Sequence, residues 1–384
     1  MIGTPLSVSI DLDAGPIAIE RLVITGGGTA GHVYPAFSVL DEIQGKAMWI
    51  GSTNGREKQL IERSCLPFVG VPTGAILGRN PVQTTRSIIA NVRGIGAALT
   101  ALRQFNPKVV LGTGGYVTVP TVIAARLLGI PSALFLPDIQ PGLAVRWLSR
   151  LADRVACTSE KSRRFLSGAN VTVTGYPVRA ELRQWAKRPR ADAFATLGLP
   201  TDRPVILIFG GSTGAHAINQ AIFDGLRELL YESTVVHVTG DADRGAAGQQ
   251  HEALPDALRQ RYWPFAYLDD EMGAALSAAD LVICRAGAST LGELPAFGKP
   301  SILIPGTFAS GHQGHNADAL VDLGAAVRVN ENELASPSYL PRQALALIRD
   351  PNRRDAMARA ARSLDHPNAS RAIAQILKEL EKKR

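Results

Sequence analysis

One local pattern recurs four times along the 384 residues and constrains the fold more than any other feature. A short run rich in β-branched residues ends in a glycine-rich turn, and helical periodicity follows. LVIT (22–25) enters GGGTAGH (26–32), and VVL (109–111) enters GTGGYV (112–117). VILIF (205–209) enters GGSTGA (210–215), and LVIC (281–284) enters RAGAST (285–290). Between them stand further strand candidates: AMWIGS (47–52), PSALFL (131–136), RVACTS (154–159), VTVTG (171–175), TVVHVTG (234–240) and PSILIP (300–305). Apolar strands alternating with amphipathic helices mark parallel βα units, whose sheets are covered on both faces. Two of the four turns fall in each half of the chain. The expected class is therefore α/β, with two Rossmann-like, doubly wound parallel-sheet domains and a cleft at the C-terminal strand edges.

The break between the halves is expected at GYPVR (175–179), giving domains of residues 1–178 and 179–365. Near the C-terminus, Ile373, Ile376, Leu377 and Leu380 form the apolar stripe of a docked helix. The segment 366–384 is expected to return to the first domain. A second amphipathic helix is expected over 86–103. Its stripe is Ile88, Val92, Ile95, Leu99 and Leu102, with Arg86 and Arg93 opposite.

Charge and cysteine usage narrow the function. Three cysteines, far apart and without CxxC spacing, argue against a disulfide framework and against a zinc site. The first 20 residues lack a basic stretch and carry acids, unlike a signal peptide. The best apolar run, 121–136, contains Arg126, Gly129 and Pro131, so no membrane span is expected. The net charge is 41 − 34 = +7, and Arg79, Arg86, Arg93, Arg103 and Lys108 occupy a stretch with no acid. Such an excess calls for an anionic partner. With 6% aromatics and no interleaving of aromatic and basic residues, nucleic acid is the weakest choice.

Gly26, Gly28 and Gly31 match GxGxxG, but the second strand ends in Gly51-Ser52-Thr53-Asn54 rather than in an acid for a dinucleotide ribose. No GxxxxGK[ST] occurs. A glycine-rich turn at a helix start remains suited to phosphate, because its N–H groups converge at the positive end of the helix dipole. GGSTG (210–214) is the best such turn, with Ser212 and Thr213 adding hydroxyl donors. His32, just inside the first turn, carries an imidazole suited to general-base work.

The motifs TGGGTAGHVYPA, GTGGYVTVP, GYPVR, FGGSTGAHAIN, YLDDEM, CRAGASTLGEL and HQGHNA follow one another across roughly residues 20–380. In order and spacing the chain resembles the MurG-type family, the UDP-N-acetylglucosamine:N-acetylmuramyl-(pentapeptide) pyrophosphoryl-undecaprenol N-acetylglucosaminyltransferases of peptidoglycan synthesis. The resemblance implies a GT-B fold, with the lipid acceptor on the N-terminal domain and UDP-GlcNAc on the C-terminal domain. It implies inverting transfer of GlcNAc to the C4 hydroxyl of the MurNAc of lipid I, with no metal and no cofactor.

Carried over, Leu268 and Met272 resemble uracil contacts, Glu293 the ribose carboxylate, and Arg179, Ser212 and Thr213 the diphosphate contacts. Gln313 and Asn316 resemble the readers of the sugar hydroxyls. Ala288, Thr29, Ala30 and Gly31 complete the donor set, and Gly114, Gly115 and Tyr116 stand on the acceptor side. Two departures stand out. His312 replaces the first of two adjacent glutamines, and Phe135-Leu136-Pro137-Asp138 stands where the family has His-Glu-Gln-Asn. Asp138 is thus a second candidate base beside His32. Partners implied are UDP-GlcNAc, an undecaprenyl-linked lipid and an anionic membrane surface, at the cytoplasmic face of the plasma membrane. Alternatives are a related GT-B enzyme with another lipid or aglycone acceptor, a nucleotide-sugar-binding protein without catalysis, and a UDP-sugar epimerase.

Overall fold

In the computed structural model, residues 15–27, 30–55, 57–74, 81–211, 215–306 and 311–383 are described. The chain divides into two compact units, Met1–Pro177 with His366–Arg384, and Val178–Asp365. Each holds one wholly parallel sheet.

The first sheet comprises β1 (Ile17–Gly26), β2 (Ile43–Ser52), β3 (Phe68–Val71), β4 (Val109–Gly114), β5 (Ser132–Leu136), β6 (Arg154–Cys157) and β7 (Val171–Val173), in the order β3-β2-β1-β4-β5-β6-β7. The second comprises β8 (Val205–Phe209), β9 (Thr234–Val238), β10 (Tyr262–Phe265), β11 (Leu281–Cys284), β12 (Ser301–Leu303) and β13 (Ala326–Arg328), in the order β10-β9-β8-β11-β12-β13. Each order reverses once, between β1 and β4 and between β8 and β11. Those four strands are the ones that end in the glycine-rich turns. In an open α/β sheet the crevice at such a reversal is where ligands bind.

The central strands are sealed on both faces, as their uninterrupted apolar runs require. Leu22, Val23, Ile24, Val109, Val110 and Leu111 are all 0% exposed. The helix Ala369–Lys382 packs on the first unit, against β1, β4 and β5. Its stripe of Ile373, Ile376, Leu377 and Leu380 is buried. On its flank, Arg371 pairs with Glu42 at 3.2 Å.

The helix Pro81–Phe105 follows the expected stripe in its second half only, where Leu102 is buried and Leu99 packs against the core. Its buried residues are Ser87, Gly94, Ala98, Ala101 and Leu102, while Ile88, Ile89 and Val92 are exposed by 48%, 48% and 63%. The cause lies in side-chain size. A methyl on Gly94 would lie 2.2 Å from Pro72 O and 3.4 Å from Pro120 Cβ. The backbone therefore approaches its neighbours closely at Gly94, and Ile88, Ile89 and Val92, which precede it, turn outward.

Candidate active site

In the first unit, β1 leads through Gly26 and Gly27 to the helix Ala30–Leu40. Thr29 lies outside the described residues. Ala30 and Gly31 begin the helix, and His32 follows, half-buried. His32 Nδ1 lies 2.8 Å from Thr113 O at the end of β4. A carbonyl only accepts, so Nδ1 carries the hydrogen and Nε2 presents its lone pair. That is the tautomer a general base needs.

The second glycine turn presses on this ring. Gly114 has φ of 108°, and a methyl there would lie 2.8 Å from His32 Cε1 and Nδ1. A methyl on Gly115 would lie 2.4 Å from Gly27 O, and Gly27 N–H donates to Gly114 O at 3.3 Å. Glycine at both positions thus lets the two turns interlock. Tyr116, next in line, is 38% exposed. Asp138 is half-buried, two residues beyond β5 at the same C-terminal sheet edge. Its strand is two places from β1, or roughly 10 Å along the sheet.

In the second unit, Ser212 and Thr213 lie outside the described residues. The helix His216–Phe223 begins just beyond them, and its first N–H groups have no helical partners. A buried chain of hydrogen bonds holds this helix start. Tyr262 Oη donates to His237 Nδ1 (3.1 Å), and His237 Nε2 donates to Asn219 Oδ1 (3.0 Å). Asn219 Nδ2 donates to Thr239 O (2.8 Å) and to Asp243 Oδ2 (2.7 Å). Burial pushes the His237 imidazole down to about 3, so it stays neutral within this chain.

Glu293 lies in the first turn of the helix Thr290–Phe297. Burial raises its carboxyl above the usual glutamate range, while the Arg179 guanidinium and a hydrogen bond from Ser289 hold it back. Two residues distant in sequence, Arg179 and Glu293, are thereby brought together. Arg179 precedes the helix Ala180–Lys187, which packs on both Thr290–Phe297 and Met272–Ala278. Gly273 makes room for Trp185, since a methyl there would lie 2.3 Å from its Cδ1. One helix thus packs against the two helices that carry Met272 and Glu293. Leu268 is 4% exposed after β10, and Met272 and Ala288 are half-buried.

Of the expected sugar readers, Gln313 is half-buried and its Oε1 accepts from Gly306 N at 2.8 Å. Asn316 is 0% exposed and its Nδ2 donates to Ala286 O at 3.0 Å, which braces the turn after β11 from within. Sequence reasoning also passed over Arg285 and Glu331. Arg285, 8% exposed, pairs with Glu331 and donates to Ile304 O at 3.3 Å. This ties the β11 turn to the chain after β12. Its place inside CRAGA was the available signal; nothing marked Glu331.

The geometry can be set beside known proteins. Residues 22–157 match the glycosyltransferase family 28 N-terminal domain, and residues 205–376 match the glycosyltransferase family 28 C-terminal domain. A relative from Roseiflexus sp. (strain RS-1) is 39% identical over 421 residues, covering 94% of this chain and 95% of its own. One from Desulforudis audaxviator (strain MP104C) is 39% identical over 377 residues, covering 94% and 98%. Both are named UDP-N-acetylglucosamine--N-acetylmuramyl-(pentapeptide) pyrophosphoryl-undecaprenol N-acetylglucosamine transferase. Among solved structures, that of Acinetobacter baumannii MurG superposes with a TM-score of 0.74 at 26% identity, covering 94% of this chain and 99% of that one.

Proposed function

The chain belongs to glycosyltransferase family 28, and on that premise we propose that it transfers GlcNAc from UDP-GlcNAc to the C4 hydroxyl of the MurNAc of lipid I, forming lipid II. Its two parallel-sheet α/β domains make a GT-B fold. The observation that carries this reading is 39% identity over 94% of the chain to relatives named for that transfer.

The acceptor hydroxyl attacks C1 of GlcNAc on the face opposite UDP, which inverts the anomeric centre. His32 Nε2 takes the hydroxyl proton, its ring held by Thr113 O and backed by Gly114. Negative charge grows on the departing diphosphate. Arg179 and the N–H groups at the start of the helix His216–Phe223 receive it. Glu293 grips the ribose diol, Leu268 and Met272 flank the uracil, and Gln313 reads the sugar. Incubating the protein with radiolabelled UDP-GlcNAc and lipid I should give a labelled lipid of lipid II mobility. UDP release without such a product would point to a different acceptor.

The lipid acceptor places the protein at a membrane. No helix among the described residues is long and apolar enough to cross one. We infer peripheral attachment to the anionic cytoplasmic face of the plasma membrane through the outward face of Pro81–Phe105. There Ile88, Ile89 and Val92 are exposed beside Arg86 and Arg93. In the same unit, Leu143 and Trp147 are 61% and 52% exposed beside Arg146 and Arg150. Apolar insertion with flanking cations is how interfacial helices hold to anionic lipid. Flotation with anionic liposomes should fall as salt is raised, since exposed charges are screened within about 8–10 Å. Val92→Glu should weaken flotation even at low salt. Flotation that ignores both changes would exclude this surface.

A further inference from the structure

Glu57 takes no part in the chemistry above, yet it is 2% exposed in the middle of the first unit's glycine turns. It stands at the start of the helix Glu57–Arg63, and its Oε1 accepts from Ser52 N at 2.9 Å, at the end of β2. Two glycines make room for the carboxyl group. A methyl on Gly27 would lie 2.5 Å from Glu57 Cδ and Oε1, and one on Gly55 would lie 2.1 Å from Oε1 and 2.2 Å from Cδ. The carboxylate therefore fills the space between the first glycine turn and the turn after β2.

The far side of Gly27 is equally confined. Its N–H donates to Gly114 O, and its carbonyl occupies the space that a side chain at Gly115 would need. Gly114 in turn abuts the His32 ring. Glu57, Gly27, the second glycine turn and His32 thus form one continuous stack. Enclosing a carboxylate is costly, and an apolar side chain of similar volume would fill the same space without that cost. What the carboxylate adds is a directional bond to the end of β2 while its body backs the turn.

We propose that Glu57 is a positioning residue, whose carboxylate wedges the first glycine turn against the second and so fixes where His32 meets Thr113 O. This rests on the reading of His32 as the base. Misplacing a reacting group by about 1 Å costs roughly 10²-fold in rate.

The test is kinetic. Glu57→Ala should lower kcat about 10²-fold. UDP affinity by calorimetry should not change, because Leu268, Met272, Glu293 and Arg179, the residues assigned to the uracil, the ribose and the diphosphate, belong to the second unit. Glu57→Gln keeps the shape and an acceptor oxygen, and should recover most of the rate. In the double variant with His32→Ala, the two losses should not add, since both act on one base. If Glu57→Ala does not fold, Glu57→Asp carries the same test, because it keeps the charge and withdraws it by one methylene. Full kcat in Glu57→Ala or Glu57→Asp would overturn the proposal, and so would additive losses in the double variant. A large loss in Glu57→Ala beside a small one in His32→Ala would overturn both the link to His32 and the base assignment.

Discussion

Replacing His32 by alanine should lower kcat about 10²–10⁴-fold, the span that general acid–base catalysis contributes, while UDP affinity stays the same. In the proposed reaction the lone pair on Nε2 takes the proton, and the hydrogen bond to Thr113 O keeps it there by holding the ring hydrogen on Nδ1. Protonation of the ring removes that lone pair. The native enzyme should therefore lose kcat/KM as pH falls, and His32→Ala should abolish that acidic limb. If the limb persists in His32→Ala with only a small rate loss, the base is elsewhere. Asp138, at the same sheet edge, is then the group whose replacement should remove it.

The second large effect concerns Glu293. An ionised carboxylate accepting from both ribose hydroxyls makes charge-assisted bonds worth about 1.5–3 kcal/mol. Glu293→Ala should therefore weaken UDP binding by about 10-fold to 150-fold. The pH dependence follows from the same group. Burial raises its carboxyl above the ordinary glutamate range. A raised value means that the proton is taken up at a higher pH than usual, and the protonated group no longer offers two anionic oxygens. UDP affinity should thus begin to fall, on acidification, above the pH at which an ordinary glutamate titrates. Glu293→Gln should flatten that dependence. Calorimetry across pH checks both statements, and unchanged UDP affinity in Glu293→Ala would remove the residue from the ribose site.

Much of the fold was legible because its signals are local. Strands sealed on both faces must be continuously apolar, which accounts for nine of the ten strand candidates read from the sequence; the tenth, the edge strand Val171–Val173, is half-buried, and all ten recur in the two sheets. Three strands escaped notice: Phe68–Val71, Tyr262–Phe265 and Ala326–Arg328. Each is a sheet edge of three or four residues with a single buried residue. An edge strand pairs on one side only, so its residues need neither an apolar run nor strict alternation. Its place is set by the neighbour it joins.

By itself the sequence determined the α/β class and the four glycine turns, which follow from chain-local rules: apolar runs and turn residues. It offered His32 from its place in the first turn, and Arg179 and Glu293 only through the resemblance to the MurG-type family. Only the tertiary structure decided which nitrogen of His32 is free, because that depends on Thr113, 81 positions away. It turned Ile88 and Val92 of the helix Pro81–Phe105 outward while Leu102 stayed buried, with Pro72 pressed close to the backbone at Gly94. It drew Asn316 inward to Ala286, joined Arg285 to Glu331, and set Glu57 beneath Gly27. In each case the deciding quantity is the distance between segments remote in sequence, and that distance exists only once the sheets have formed.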